Sequence, residues 1–348
     1  MILHSAPKPP NTPSLKNEGI WVDRKGDRFY SGFSGVASSF GNSRGYPRGL
    51  WSFTPDGTGD GTWQSYNETA NKASTQQPRL FLGQVASGND SGFYLGGTSR
   101  PPVQHKTRDD RPSNGNPNHS SQAQPVSLIS FDFETREERN TTVPGSLSDT
   151  IGLSGSLIYI ANFGSRGILL SMGGATGSRQ DQLVPFWNVR VYDVATQKWY
   201  EQQTTGEIPS PRKEFCMAGT PSSGRTYEIL IYAGWRGKLG SDAISLDEAF
   251  VLTLPGFRWI QASYPALYPR HGLTCNAVGG GQILTIGGVD TSQNDSSDPY
   301  KSTFSTPDPF IQGLAVFSLS TLGWKDNYQS NPGPYTAAPA VQAYYRSK

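Results

Sequence analysis

The chain has 348 residues, a formal net charge of +2 and only 17% charged residues. A field that weak gives no general pull on nucleic acid or an anionic membrane, and no apolar run approaches the roughly 18 residues that span a bilayer. With 40 Gly, 26 Pro and little helical periodicity, the chain reads as many short strands and turns, and its length suits a single all-β domain.

Residues 1–16, MILHSAPKPPNTPSLK, are Pro-rich and lack an apolar core, so they read as a linker rather than a signal peptide, with the domain over 17–348. RFYSGFSG then ends at Gly35 and is followed by WSFTPDGTGDGTW, which closes on Trp63. FYLGG ends at Gly97, with ISFDFETRE after it. ILLSMGG (to Gly174), ILIYAG (to Gly234) and ILTIGG (to Gly288) each precede a nine-residue frame: VYDVATQKW to Trp199, VLTLPGFRW to Trp259 and VFSLSTLGW to Trp324. Three copies also share a Pro-Arg entry, at Arg79, Arg212 and Arg270. One structural unit therefore recurs five times.

Each unit predicts four short strands: one after Pro-Arg, one ending on the small-residue doublet, one near the start of the frame and one at its terminal aromatic. Such sheets cannot bury both faces alone, which predicts an all-β propeller of five recognisable four-stranded blades. Glycines let backbones approach where blades converge, and the Trp rings wedge between neighbouring blades. In the tail, VQAYY is expected as a strand.

The Gly doublet, the Tyr-Asp of VYDVATQKW and a Trp 25 residues after Gly174 and Gly234 resemble the kelch repeat. SGFSG, PSPRKEFC, HGLTCNAVGGGQILTIGGVD and TPDPFIQGLAVF are similar to fungal kelch-repeat proteins with a secreted or membrane-anchored ectodomain. The resemblance runs from about Gly19 to Tyr345. It implies an extracellular or anchored location, and a six-bladed family ring of which this chain holds an incomplete set. The chain itself carries no signal peptide, anchor or membrane-contacting segment on this reading.

Cys216 and Cys275 fall on the first strands of adjacent blades, where a disulfide and two buried thiols are both compatible with the sequence. The copper oxidases on this propeller type need converging imidazoles, and of His4, His105, His119 and His271 only the last is on a predicted blade strand. No metal, cofactor or catalytic set is implied. PDGTGDG, with Asp56 and Asp60, reads as a hairpin turn rather than a calcium loop; Asp290, Asp295 and Asp298 read as solvated loop.

Arg79, Arg212 and Arg270 recur at equivalent positions, either as a cationic ring for an acidic ligand or as caps on strand carbonyls. The long loops after the doublets are the better binding candidates, with Arg179, Trp235, Arg236, Tyr300 and Phe304 as anchors. Asn67, Asn89, Asn118, Asn140 and Asn294 each begin an N-x-S/T sequon, expected in turns or loops, and predict passage through the secretory route. The expected function is a non-catalytic scaffold binding a protein or cell-surface glycan, and not nucleic acid. The alternative is a metal-independent sugar-converting enzyme using the channel mouth.

Overall fold

The computed structural model describes residues 9, 15–16, 19–34, 36–37, 49–66, 80–98, 126–176, 182–237, 241–244, 246–292, 310 and 313–348. Arg79, Arg179, Tyr300, Phe304, Asn67, Asn118 and Asn294 lie outside them. The chain divides into two compact units, Met1–Ser148 and Asp149–Lys348. No helix among the described residues is long and apolar enough to cross a membrane.

Unit one holds two four-stranded antiparallel blades. The first is β2 (Trp21–Asp23), β3 (Arg28–Ser31), β5 (Trp51–Pro55) and β6 (Gly61–Ser65), after a short pair of β1 (Leu15–Lys16) with β4 (Val36–Ala37). β1 thus draws the end of the Pro-rich segment into regular structure. The second blade is β7 (Gln84–Ser87), β8 (Ser91–Leu95), β9 (Ser127–Asp132) and β10 (Glu138–Thr142), followed by the one-turn α1 (Gly145–Ser148). Between the two blades Trp21 stacks on Phe33 and Phe131 and donates its indole N–H to the Phe93 carbonyl at 3.0 Å. Gly92 makes that approach available, because a Cβ there would sit 2.3 Å from the indole.

Unit two holds three blades. β11 (Ser156–Ile160), β12 (Ile168–Met172), β15 (Asn188–Asp193) and β16 (Lys198–Gln203) form blade three, with a small pair β13 (Ala175–Thr176) and β14 (Gln182–Leu183) beside it. Blade four is β18 (Cys216–Pro221), β19 (Tyr227–Tyr232), β20 (Ala249–Leu254) and β21 (Arg258–Gln261), with β17 (Thr205–Gly206) added in parallel to the outer edge of β21. A one-turn α2 (Ser241–Ile244) interrupts the loop between β19 and β20. Blade five is β23 (Thr274–Ala277), β24 (Gln282–Ile286), β26 (Leu314–Ser318) and β27 (Gly323–Lys325), with β22 (Arg270–His271) paired to β25 (Val289–Asp290). β19 and β20 are buried at every position, as strands covered on both faces must be.

The doublets follow the second strands as the repeat register predicts. Their backbone also explains the glycines: Gly96–Gly97, Gly173–Gly174 and Gly287–Gly288 all have positive φ, and Ala233 (φ 62) takes the same conformation before Gly234. Trp259, fully buried, meets Phe186 edge-on at 5.8 Å and so wedges blade four against blade three. Trp199 departs from that expectation: its ring lies against Tyr192 of its own blade. Its partner face is the neighbouring strand because β16 is the exposed outer strand of the sheet.

The tail also differs from expectation. VQAYY is not a strand but part of α3 (Pro339–Arg346). Pro339 opens the helix, where its fixed φ is already helical, and Val341 and Tyr345, one turn apart, both face the core shared with blades four and five. The Tyr345 hydroxyl accepts the Gly256 N–H at 3.0 Å and lies 3.2 Å from Thr253 Oγ1. Beneath this tail, Glu228 of β19 is wholly buried, accepting the Thr253 hydroxyl at 2.9 Å, with Thr226 and Tyr335 facing the same carboxyl.

Candidate functional site

The loop end of unit two is built by one backbone device used repeatedly. The residue after the doublet bridges the residue near the Pro-Arg position: Leu153 with Ala175, Lys213 with Trp235, His271 with Val289. Phe81 and Thr98 do the same in unit one. The next residue is left-handed in each case: Leu82 (φ 59), Ser154 (φ 55), Glu214 (φ 56) and Gly272 (φ 67). These positions then link blade to blade, Glu214 N–H donating to Ser154 O at 2.8 Å and Gly272 N–H to Glu214 O at 2.9 Å. The doublets do likewise, Gly174 N–H to Arg212 O and Gly234 N–H to Arg270 O. What the repeat leaves variable is the side chain at each equivalent position.

Between blades four and five those side chains are Lys213, Glu214, Trp235 and His271. His271 Nδ1 lies 2.5 Å from Glu214 Oε2. The Trp235 ring stacks on the imidazole with centroids 4.6 Å apart and planes at 25°, and Lys213 Nζ sits 5.7 Å from the indole centroid. No described residue bonds His271 Nε2. With Nδ1 turned to the carboxylate, the tautomer that donates through Nδ1 leaves Nε2 as an acceptor. Burial acts upward on the Glu214 carboxyl; the hydrogen bond from His271 and the charges of His271 and Lys213 outweigh it and hold the group below its ordinary range. Arg236 is exposed beside Trp235.

Arg212 and Arg270, offered above either for an acidic ligand or as carbonyl caps, are both buried. Arg212 is fully buried and caps loop and doublet carbonyls: Nε donates to Ser210 O and Nη1 to Ala233 O, while Nη2 pairs with Glu248 Oε2 at 2.8 Å. Burial lowers its pKa, and Glu248 opposes that shift. Arg270 is buried too, donating to Gly287 O at 3.1 Å with its guanidinium over the Phe310 ring. The reason is positional: each Pro-Arg side chain lies against the doublet of its own repeat unit, Arg212 at Ala233–Gly234 and Arg270 at Gly287–Gly288. Asp247 is likewise structural, accepting the Tyr232 hydroxyl and the Leu267 and Tyr268 N–H groups.

Cys216 and Cys275 are joined in a disulfide with Cα atoms 5.3 Å apart, on the first strands of blades four and five. Asp56 closes the β5–β6 hairpin turn by accepting the Thr58 and Asp60 N–H groups. Asn89 sits in the exposed β7–β8 turn, but Asn140, expected in a loop, lies within β10, because that strand starts only after the Arg136 turn. No cluster of three or more metal-ligating side chains exists among the described residues. Glu214 escaped sequence reasoning because nothing in PRKEFC marks it; the shared place of Lys213-Glu214 and His271-Gly272 after Pro-Arg was the usable signal.

The blade topology and the doublet loops define a β-propeller. The solved structure of YjhT covers 95% of this chain and 88% of its own at 12% identity and a TM-score of 0.51, a likeness of fold alone. No family model matches. Its repeats are similar to those of a fungal homologue: a 205-residue stretch is 30% identical to the Kelch repeat-containing protein of Arthroderma benhamiae, covering 56% of this chain and 28% of that protein. The chain thus spans under a third of the relative's length. The exo-beta-1,3-galactanase of Phanerochaete chrysosporium is more distant, at 11% identity and a TM-score of 0.46.

Proposed function

We propose that the chain is an interaction scaffold that binds a protein or cell-surface glycan at the loop end of blades four and five. The observation that carries this reading is the Trp235–His271 stack with Lys213 beside it and exposed Arg236 at its rim. Aromatic and cationic side chains held by a rigid backbone lose little entropy on binding, which is why they act as anchors. Replacing Trp235 and Arg236 together with Ala is expected to weaken binding to an array of cell-wall oligosaccharides and surface proteins by about 2 kcal/mol, roughly thirtyfold in Kd. Thermal unfolding is expected to stay unchanged. Unaltered binding by the folded double variant would remove this loop from the site.

The Glu214–His271 pair favours a second reading, in which Nε2 acts as a general base on a bound sugar. His271→Asn separates the two. A scaffold shows no turnover with either form and binds the array more weakly once the Trp235–His271 stack is lost, whereas an enzyme shows turnover of the array sugars that the variant abolishes.

A further inference from the structure

We propose that Asn140 carries an N-linked glycan that covers the outer edge of blade two, with Asn89 as a second acceptor on the same blade. Asn140-Thr141-Thr142 and Asn89-Asp90-Ser91 are complete acceptor sequences. Both asparagines are exposed, and neither side-chain amide is bonded by a described residue. The place of Asn140 is unusual for an acceptor. It is the central residue of β10, paired on one side only, with Ile129 of β9 opposite. Among the described residues no strand lies beyond β10 in its sheet, whereas the equivalent outer strand of blade four is covered by β17. Four of the five β10 residues are exposed. An open row of strand N–H and C=O groups is a template for pairing with another chain, and a bulky hydrophilic substituent at its midpoint blocks that pairing sterically.

An independent observation supports passage through the compartment where glycan transfer occurs. The Cys216–Cys275 bond joins blades four and five in unit two. Disulfides persist in the oxidising secretory route and are rare in the cytosol. The bond lies far in sequence from either acceptor, so it does not restate the sequon.

The test is peptide mapping of the full chain secreted from yeast, with the disulfide verified by mass before and after reduction. Enzymatic deglycosylation in heavy-oxygen water should convert Asn140 to labelled Asp, and Asn140→Gln should lose one glycan's mass. Asn140→Gln should also scatter more light than the wild type on standing at equal concentration. A disulfide-bonded secreted chain whose Asn140 peptide is unmodified would overturn the proposal; so would a glycan at Asn140 whose enzymatic removal from folded protein leaves self-association unchanged. The wild-type peptide map keeps the test decisive even if the variant is poorly secreted.

Discussion

Blade four carries a carboxyl at each end of its first hairpin, one half-buried and one wholly buried, and the two are opposites. At the loop end, Glu214 faces His271 and Lys213 and is held below its ordinary pKa. At the hairpin end, Glu228 faces hydroxyls only and burial pushes it up. A carboxyl given cations stays charged in a partly buried place; one given only neutral donors is better protonated. The loop end is therefore organised around charge and presents it at the surface. The hairpin end is sealed by the C-terminal segment and works as a joint between tail and blade.

The largest break in this contrast comes from Tyr335, buried in the core beneath the tail. Tyr335→Ala should cost about 3 kcal/mol in urea unfolding, through the cavity it leaves and the freed tail. It should leave ligand binding at the loop end unaltered; weakened binding would mean the two ends are coupled.

Next in size is Glu228→Gln. Because the folded pKa lies above the ordinary 4.5, the wild-type protein is helped fully below pH 4.5 and loses that help as pH rises through the folded value. The amide removes the penalty, so the variant should be more stable by about 1.5 kcal/mol at pH 8 and nearly equal at pH 4. A variant equally destabilised at both values would show that the carboxyl is needed as a hydrogen-bonding acid.

The smallest effect, and of opposite sign, is expected for Glu214→Gln. Its folded pKa lies below the ordinary 4.5, so its contribution is present above that pH and lost as pH falls through the folded value. Chemical denaturation should show a loss of about 1 kcal/mol at pH 7 that shrinks toward pH 3. An equal loss at both would place Glu214 in packing rather than in charge pairing.

Strand count, doublet positions and the β5–β6 turn were legible in the chain because they are local. Positive φ demands Gly at Gly97 and Gly174, and Asp56 closes a turn with its own neighbours. The tail was misread for a related reason. VQAYY fits a strand by alternation, and only the blade beneath it makes the Val341–Tyr345 stripe worth burying as a helix. The same gap explains Asn140, whose strand is set by pairing with β9.

The amino-acid sequence by itself determined the repeat, the β-propeller class and the acceptor sequences, since each is a matter of which residues follow one another. Tertiary structure alone decided that Arg212 and Arg270 are buried caps, that Cys216 meets Cys275, and that Glu214 reaches His271 across 57 residues. Those outcomes depend on which blades become neighbours. Hydrogen bonding and charge pairing act over a few ångströms in space and have no fixed range along the chain.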